Sequence, residues 1–149
     1  MGRPIREEEI EPLNWGMAES GRAVTASAYV AAVESLQSYS RGLAAWWDEG
    51  FDILLTPTAA TPPAKLGELA PLGDPKTVMA GMMACTAFTT PFNATGQPAI
   101  SLPLHLSDEG LPIGIQLVAG YGREDVLVRL ASQLEDAQPW SKRLPAIHA

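Results

Sequence analysis

Cysteine is nearly absent from this chain of 149 residues: Cys85 stands alone, so no internal disulfide is possible. Histidine is almost as scarce, with His105 and His148 far apart in sequence. Neither residue type forms a spacing that suits a zinc site, and no metal ligand set is expected. Basic residues are also few. Ten Lys and Arg stand against seventeen Asp and Glu, a net charge of -7. Without a cluster of Lys or Arg, a nucleic-acid partner is not expected, because phosphate binding needs a basic surface. Long apolar runs are missing too, so no bilayer-spanning segment is expected. The N-terminus, MGRPIREEEIEP, has no apolar core of a secretory signal. Gly2 lacks the Ser or Thr that myristoylation wants, since Arg6 stands there. A cytoplasmic location is the expectation.

Chemistry is just as hard to find. No G-x-S-x-G elbow occurs, and no glycine-rich phosphate loop: Gly120-Tyr121-Gly122 precedes a helix without the rest of a nucleotide fingerprint. Cys85 and His105 are a thiol and an imidazole with nothing in sequence to bring them together. Cys85 lies in the apolar stretch MAGMMACTAF and reads as a small buried core residue. Asp52 opens an apolar run and reads as a local cap or ion-pair partner, and Lys65 and Lys76 as solvated lysines.

Hydrophobic residues make up 46% of the chain and charged residues 18%, the balance of a folded domain. Residues 1–24 read as polar and irregular, with Trp15 as an anchor. Thr25 or Ser27 caps a helix toward Glu49, whose stripe is Tyr29, Val33, Leu36, Leu43 and Trp47, and Gly50 stops it. FDILLTPT is a short strand that ends at Pro57. Residues 57–75 form a loop, and Asp74-Pro75 starts a helix to about Phe88, with Met79, Met82 and Met83 on a core face. TTPFNATGQP reads as a stiff irregular loop. Two apolar runs, Ala99–Leu106 and Pro112–Ala119, flank the turn Ser107-Asp108-Glu109-Gly110 and predict an antiparallel hairpin. Both read as strands buried on both faces. A helix over Glu124 to Ala137 follows, and WSKRLPAIHA ends the chain as an extended surface segment.

The order is helix, strand, helix, hairpin, helix: an α/β layer with a mixed sheet. Three short strands, two of them in need of cover on both faces, want neighbours that this chain does not obviously supply. The pattern reads as one incomplete part of a larger sheet, spanning residues 1–149.

FDILLTPT, PFNATGQPAISLPL and GLPIGIQLVAGYGREDVLVRLASQLE, in that order and spacing, resemble the C-terminal portion of the amidase signature family. The preceding helix with Tyr29 and Arg41 extends the resemblance from about Glu11 to the tail. The resemblance implies an α/β/α fold around a large mixed sheet and hydrolysis of carboxamides without a cofactor. It implies a Ser nucleophile, a second Ser and a Lys as proton relay, with backbone N–H groups of a Gly/Ser-rich loop holding the oxyanion. That stretch and that Lys lie upstream of the region matched here, so no catalytic residue carries over. Phe92, Asn93 and Thr58 are the substrate-wall candidates that do. Three readings follow: an amide hydrolase's C-terminal part, inactive alone; a half that assembles with a separate N-terminal amidase chain; or a non-catalytic binding module on the same scaffold. Bare apolar surface predicts self-association or an N-terminal partner.

Overall fold

The computed structural model describes residues 3–68 and 75–144. After a short 3-10 turn at Glu7–Glu9, the elements are α1 (Pro12–Arg22), α2 (Ala26–Asp48), β1 (Ile53–Pro57), α3 (Pro75–Thr86), α4 (Thr90–Thr95), β2 (Ala99–Leu106), β3 (Pro112–Ala119) and α5 (Glu124–Ala137). Helix α2 starts where its cap requires: the Thr25 Oγ1 accepts the Ala28 N–H at 3.2 Å. It ends at Gly50, whose φ of 98° is open to glycine and costly for other residues. The Asp74 cap expected for α3 lies outside the described residues, as does His148.

Two elements depart from the sequence reading. Residues 12–22 are helical, not irregular, because Pro12 sits in the first turn where its missing N–H is not needed. TTPFNATGQP is not a loop throughout. Pro91 opens the six-residue helix α4 in the same way, and Gly96 closes it at φ 78°, its N–H donating to the Phe92 C=O at 2.8 Å. The proline and glycine that signal a loop are here the two ends of a helix.

The three strands pair antiparallel throughout, in the order β1-β3-β2. The hairpin turns through Ser107–Gly110, where the Gly110 N–H donates to the Ser107 C=O at 2.8 Å. Burial on both faces holds only for the second half of the central strand, Gln116–Ala119. β1 and β2 are edge strands and stay largely half-buried or exposed.

Side chains alternate across the sheet, so register sorts them by face. Leu117 and Ala119 share one face with Ile53, Ile100 and Leu102, and α5 covers it with Leu127, Leu130 and Leu134. Trp140 packs against the same cluster, while the residues at 141–144 that follow it stay exposed. The other face carries Thr56, Thr58, Ser101, Gly114 and Gln116. Among the described residues, no helix is long and apolar enough to cross a membrane.

Candidate functional site

The polar face of the sheet is held together by side chains, not by packing alone. Gln116 is 4% exposed, and its Nε2 donates to the Thr56 Oγ1 at 3.0 Å and to the Phe88 C=O at 2.9 Å. A buried amide is stable only with such partners. The bond to Phe88 brings the corner between α3 and α4 over this face. One step along, the Thr58 and Ser101 hydroxyls meet at 2.7 Å across β3, above Gly114. That approach requires glycine: a Cβ at Gly114 would lie 2.8 Å from both hydroxyl oxygens.

Thr58, Gly114 and Ile113 line a cavity of about 210 Å³ together with Thr61, Pro62, Pro63 and Cys85. Cys85 is half-buried rather than a closed core residue, and its Sγ lies 3.4 Å from the Thr61 Oγ1. His105 is an exposed residue of β2 paired with Ile113, and it does not line this cavity. The thiol and the imidazole are therefore not assembled here into a nucleophile–base pair.

The three wall candidates fall in three different places. Thr58 lines the cavity. Phe92 is 7% exposed and points into the protein from α4, while Asn93, next to it, is exposed. α4 is fixed by Tyr121, whose hydroxyl donates to the Thr95 C=O and accepts from the Ser40 Oγ on α2. The Thr95 hydroxyl in turn donates to the buried Gln97 Oε1 at 2.8 Å. Gln116, Ser101 and Gly114 were not singled out in the sequence. The signal was a lone glutamine and an interior glycine within an apolar strand, each of which asks for a partner or a close approach.

The methionines of α3 do not form a closed core face. Met79 and Met83 line an open groove of about 740 Å³ opposite Leu13 and Met17 of α1, and Met83 is 65% exposed. Among the described residues, no group of three or more His, Cys, Asp or Glu is placed to hold a metal ion.

Two carboxylates held by arginines sit at element ends, Asp125 at the start of α5 and Glu9 at the close of the 3-10 turn. A side-chain hydrogen bond from Arg123 holds the Asp125 carboxyl below its ordinary range. At the other end of the chain, a hydrogen bond from Arg3 does the same for Glu9. Neither lies beside the cavity.

Comparison with known proteins gives these features a context. The family model for amidases matches residues 2–128. A 6-aminohexanoate-cyclic-dimer hydrolase of Pseudomonas sp. (strain NK87) is 41% identical over 153 aligned residues, which cover 99% of this chain and 31% of the hydrolase. A solved 6-aminohexanoate cyclic dimer hydrolase, complexed with substrate, superposes with a TM-score of 0.90 at 42% identity, over 97% of this chain and 31% of that one. The crystal structure of another amidase superposes at 0.71 with 26% identity, over 87% of this chain and 29% of that one. The chain thus spans about a third of the length of the relatives it matches, and it belongs to the amidase family.

Proposed function

We propose that these 149 residues are one part, the carboxy-terminal one, of an amide hydrolase domain that cleaves a carboxamide to a carboxylate and an amine or ammonia. The observation that carries the reading is the superposition of 97% of this chain, at a TM-score of 0.90, on a hydrolase three times its length. On this reading the chain supplies three sheet strands and part of the substrate wall. Thr58 lines that wall at the small cavity, and Phe92 and Asn93 contribute from α4, one holding the helix down and the other facing outward. An amino-terminal amidase region supplies the nucleophilic serine, its serine and lysine relay, and the oxyanion donors. Serine attack on an amide needs a proton acceptor and an oxyanion site together. Among the described residues no such set is brought together, and on this reading the chain alone turns over no amide.

Two of the relatives, the Pseudomonas hydrolase and the solved hydrolase with its substrate, are named for the cyclic dimer of 6-aminohexanoate. We extend to this chain the same class of substrate, a secondary amide joining short methylene chains. The apolar lining of the Thr58 cavity, with Pro62, Pro63 and Ile113, supports it.

Two assays test the reading. The purified chain, offered simple aliphatic and aromatic amides and the cyclic dimer, shows no turnover. A chimera in which this chain replaces the carboxy-terminal third of the Pseudomonas hydrolase cleaves the cyclic dimer or a simpler amide. Turnover by the isolated chain that disappears on Cys85→Ala contradicts the reading, and so does a folded chimera that cleaves no amide.

A further inference from the structure

Helix α4 is six residues long, and its amino end has no side-chain cap. A helix shorter than about 12 residues does not hold itself in water. Two hydrogen bonds from distant residues hold this one. Before its start, the buried Gln116 Nε2 donates to the C=O of Phe88, the residue preceding the N-cap Thr89, at 2.9 Å. At its end, the Tyr121 hydroxyl donates to the C=O of Thr95, the last helical residue. That carbonyl is one of those a helix leaves without a partner in its last turn. Both donors are tied elsewhere. Gln116 stands in β3 and also donates to the Thr56 Oγ1 on β1, while the Tyr121 hydroxyl accepts from the Ser40 Oγ on α2.

We infer that Tyr121 is a positioning residue: it fixes where α4 holds Asn93 in the substrate wall. The wall is that of the amide-hydrolase reading, on which this rests. The bonds lie within the chain and stand whichever surfaces an amino-terminal region covers. Gln116 settles the entry to α4, so the freedom left is at the other end, and the phenol governs it. Thr95 is buried, and water does not take over its C=O without a shift of the last turn. Asn93 lies in that turn and moves with it. A displacement of about 1 Å is enough to weaken the hold on a bound substrate. Tyr121 itself is half-exposed in the turn between β3 and α5, so losing the hydroxyl leaves its ring and the sheet in place.

Hydrogen exchange read by NMR on the isolated chain tests the first step. The Gly96 N–H closes α4 on the Phe92 C=O at 2.8 Å. Tyr121→Phe is expected to speed exchange of that amide by about fivefold or more and to leave the amides of α5 unchanged. Turnover by the chimera with the Pseudomonas hydrolase tests the second. There Tyr121→Phe raises KM for the cyclic dimer by about fivefold with kcat nearly unchanged, the mark of an interaction made alike with substrate and transition state. Asn93→Ala raises KM too. Adding Tyr121→Phe to it raises KM little further, because the hydroxyl acts through Asn93, whereas a hydroxyl that only steadied the fold would act additively. If circular dichroism shows Tyr121→Phe unfolded, Ser40→Ala is read instead. It leaves the phenol without its anchor on α2 and shifts exchange and KM in the same directions. A Gly96 amide that exchanges no faster, an unchanged KM, or additive effects overturn the inference and leave the amide-hydrolase reading standing. A folded chimera that cleaves no amide overturns that reading, and the role of Tyr121 with it.

Discussion

At Gly114 the backbone leaves no room for a side chain. Two hydroxyls close over it from opposite neighbours, Thr58 on one strand's exit and Ser101 on the other. A Cβ there would lie 2.8 Å from each oxygen and 3.1 Å from the Thr58 Cβ. Neither hydroxyl is the far end of a flexible chain, so Gly114→Ala must separate the strands or turn both side chains away. Overpacking of this kind costs about 1–3 kcal/mol. Gly114→Ala is therefore expected to lower the urea midpoint with an unchanged m-value. The double variant Gly114→Ala with Ser101→Ala recovers part of the loss, because it removes one of the two clashing oxygens. A midpoint unmoved by Gly114→Ala would mean that the hydroxyl pair does not close over the strand. Gln116 makes the same point about polarity: the buried amide links β1 and the α3–α4 corner, and a hydrocarbon of the same size would leave the Phe88 C=O unpaired.

Regular elements were legible in the sequence where one rule decided them. The bounds of β2, β3 and α5 follow from apolar runs between turn residues and from a single 3.6-residue stripe, and the structure keeps them. α1 and α4 were illegible because proline and glycine have two readings, and position within the turn decides between them. On α2 the single stripe splits in two: Val33, Leu43 and Trp47 face inward, while Tyr29 and Leu36 stand exposed. The three wall candidates were legible only as a neighbourhood, since a residue's direction from a six-residue helix is not written in its spacing. The first turn of α5 offers a test of how an element begins. Asp125 accepts a hydrogen bond from Arg123, which lowers its pKa, and a contact with Arg129 at 3.1 Å acts the same way. A carboxyl lowered on folding contributes stability that is present above its unfolded pKa and is lost as pH falls through the folded value. Carbon-detected NMR titration should give Asp125 a midpoint below the ordinary aspartate range, and Arg123→Ala should raise it. An Asp125 midpoint that ignores Arg123→Ala would remove the ion pair from the account of this helix start. Both groups are solvent-exposed, so salt should narrow the difference.

For the molecule as a whole, burial is one-sided. The α5 side closes over Leu117, Leu102 and Leu127. On α2 a second stripe, Tyr29, Ala32, Leu36 and Tyr39, repeats at helical spacing and is left largely open by the described residues: Tyr29 is 65% exposed, Leu36 43% and Tyr39 49%. A helix with two apolar stripes is built to be covered on two sides. In a chain that spans 31% of its relatives, the second cover is not supplied by the described residues. The consequence is measurable. Surface substitutions away from packed features change stability by no more than about 0.5 kcal/mol, whereas truncating a packed core residue costs about 2–5 kcal/mol. The pair Leu36→Gln and Tyr39→Gln should therefore leave the thermal midpoint of the isolated chain within a degree or two of wild type. It should also reduce the binding of a dye that reports exposed apolar surface. Leu117→Ala, at 1% exposure, should unfold the chain well below that midpoint. Placed in the chimera with the Pseudomonas hydrolase, the same Gln pair should destabilise, because there the stripe has its cover. A Gln pair that melts the isolated chain early would show that α2 already packs on both stripes, and that these residues close a core of their own.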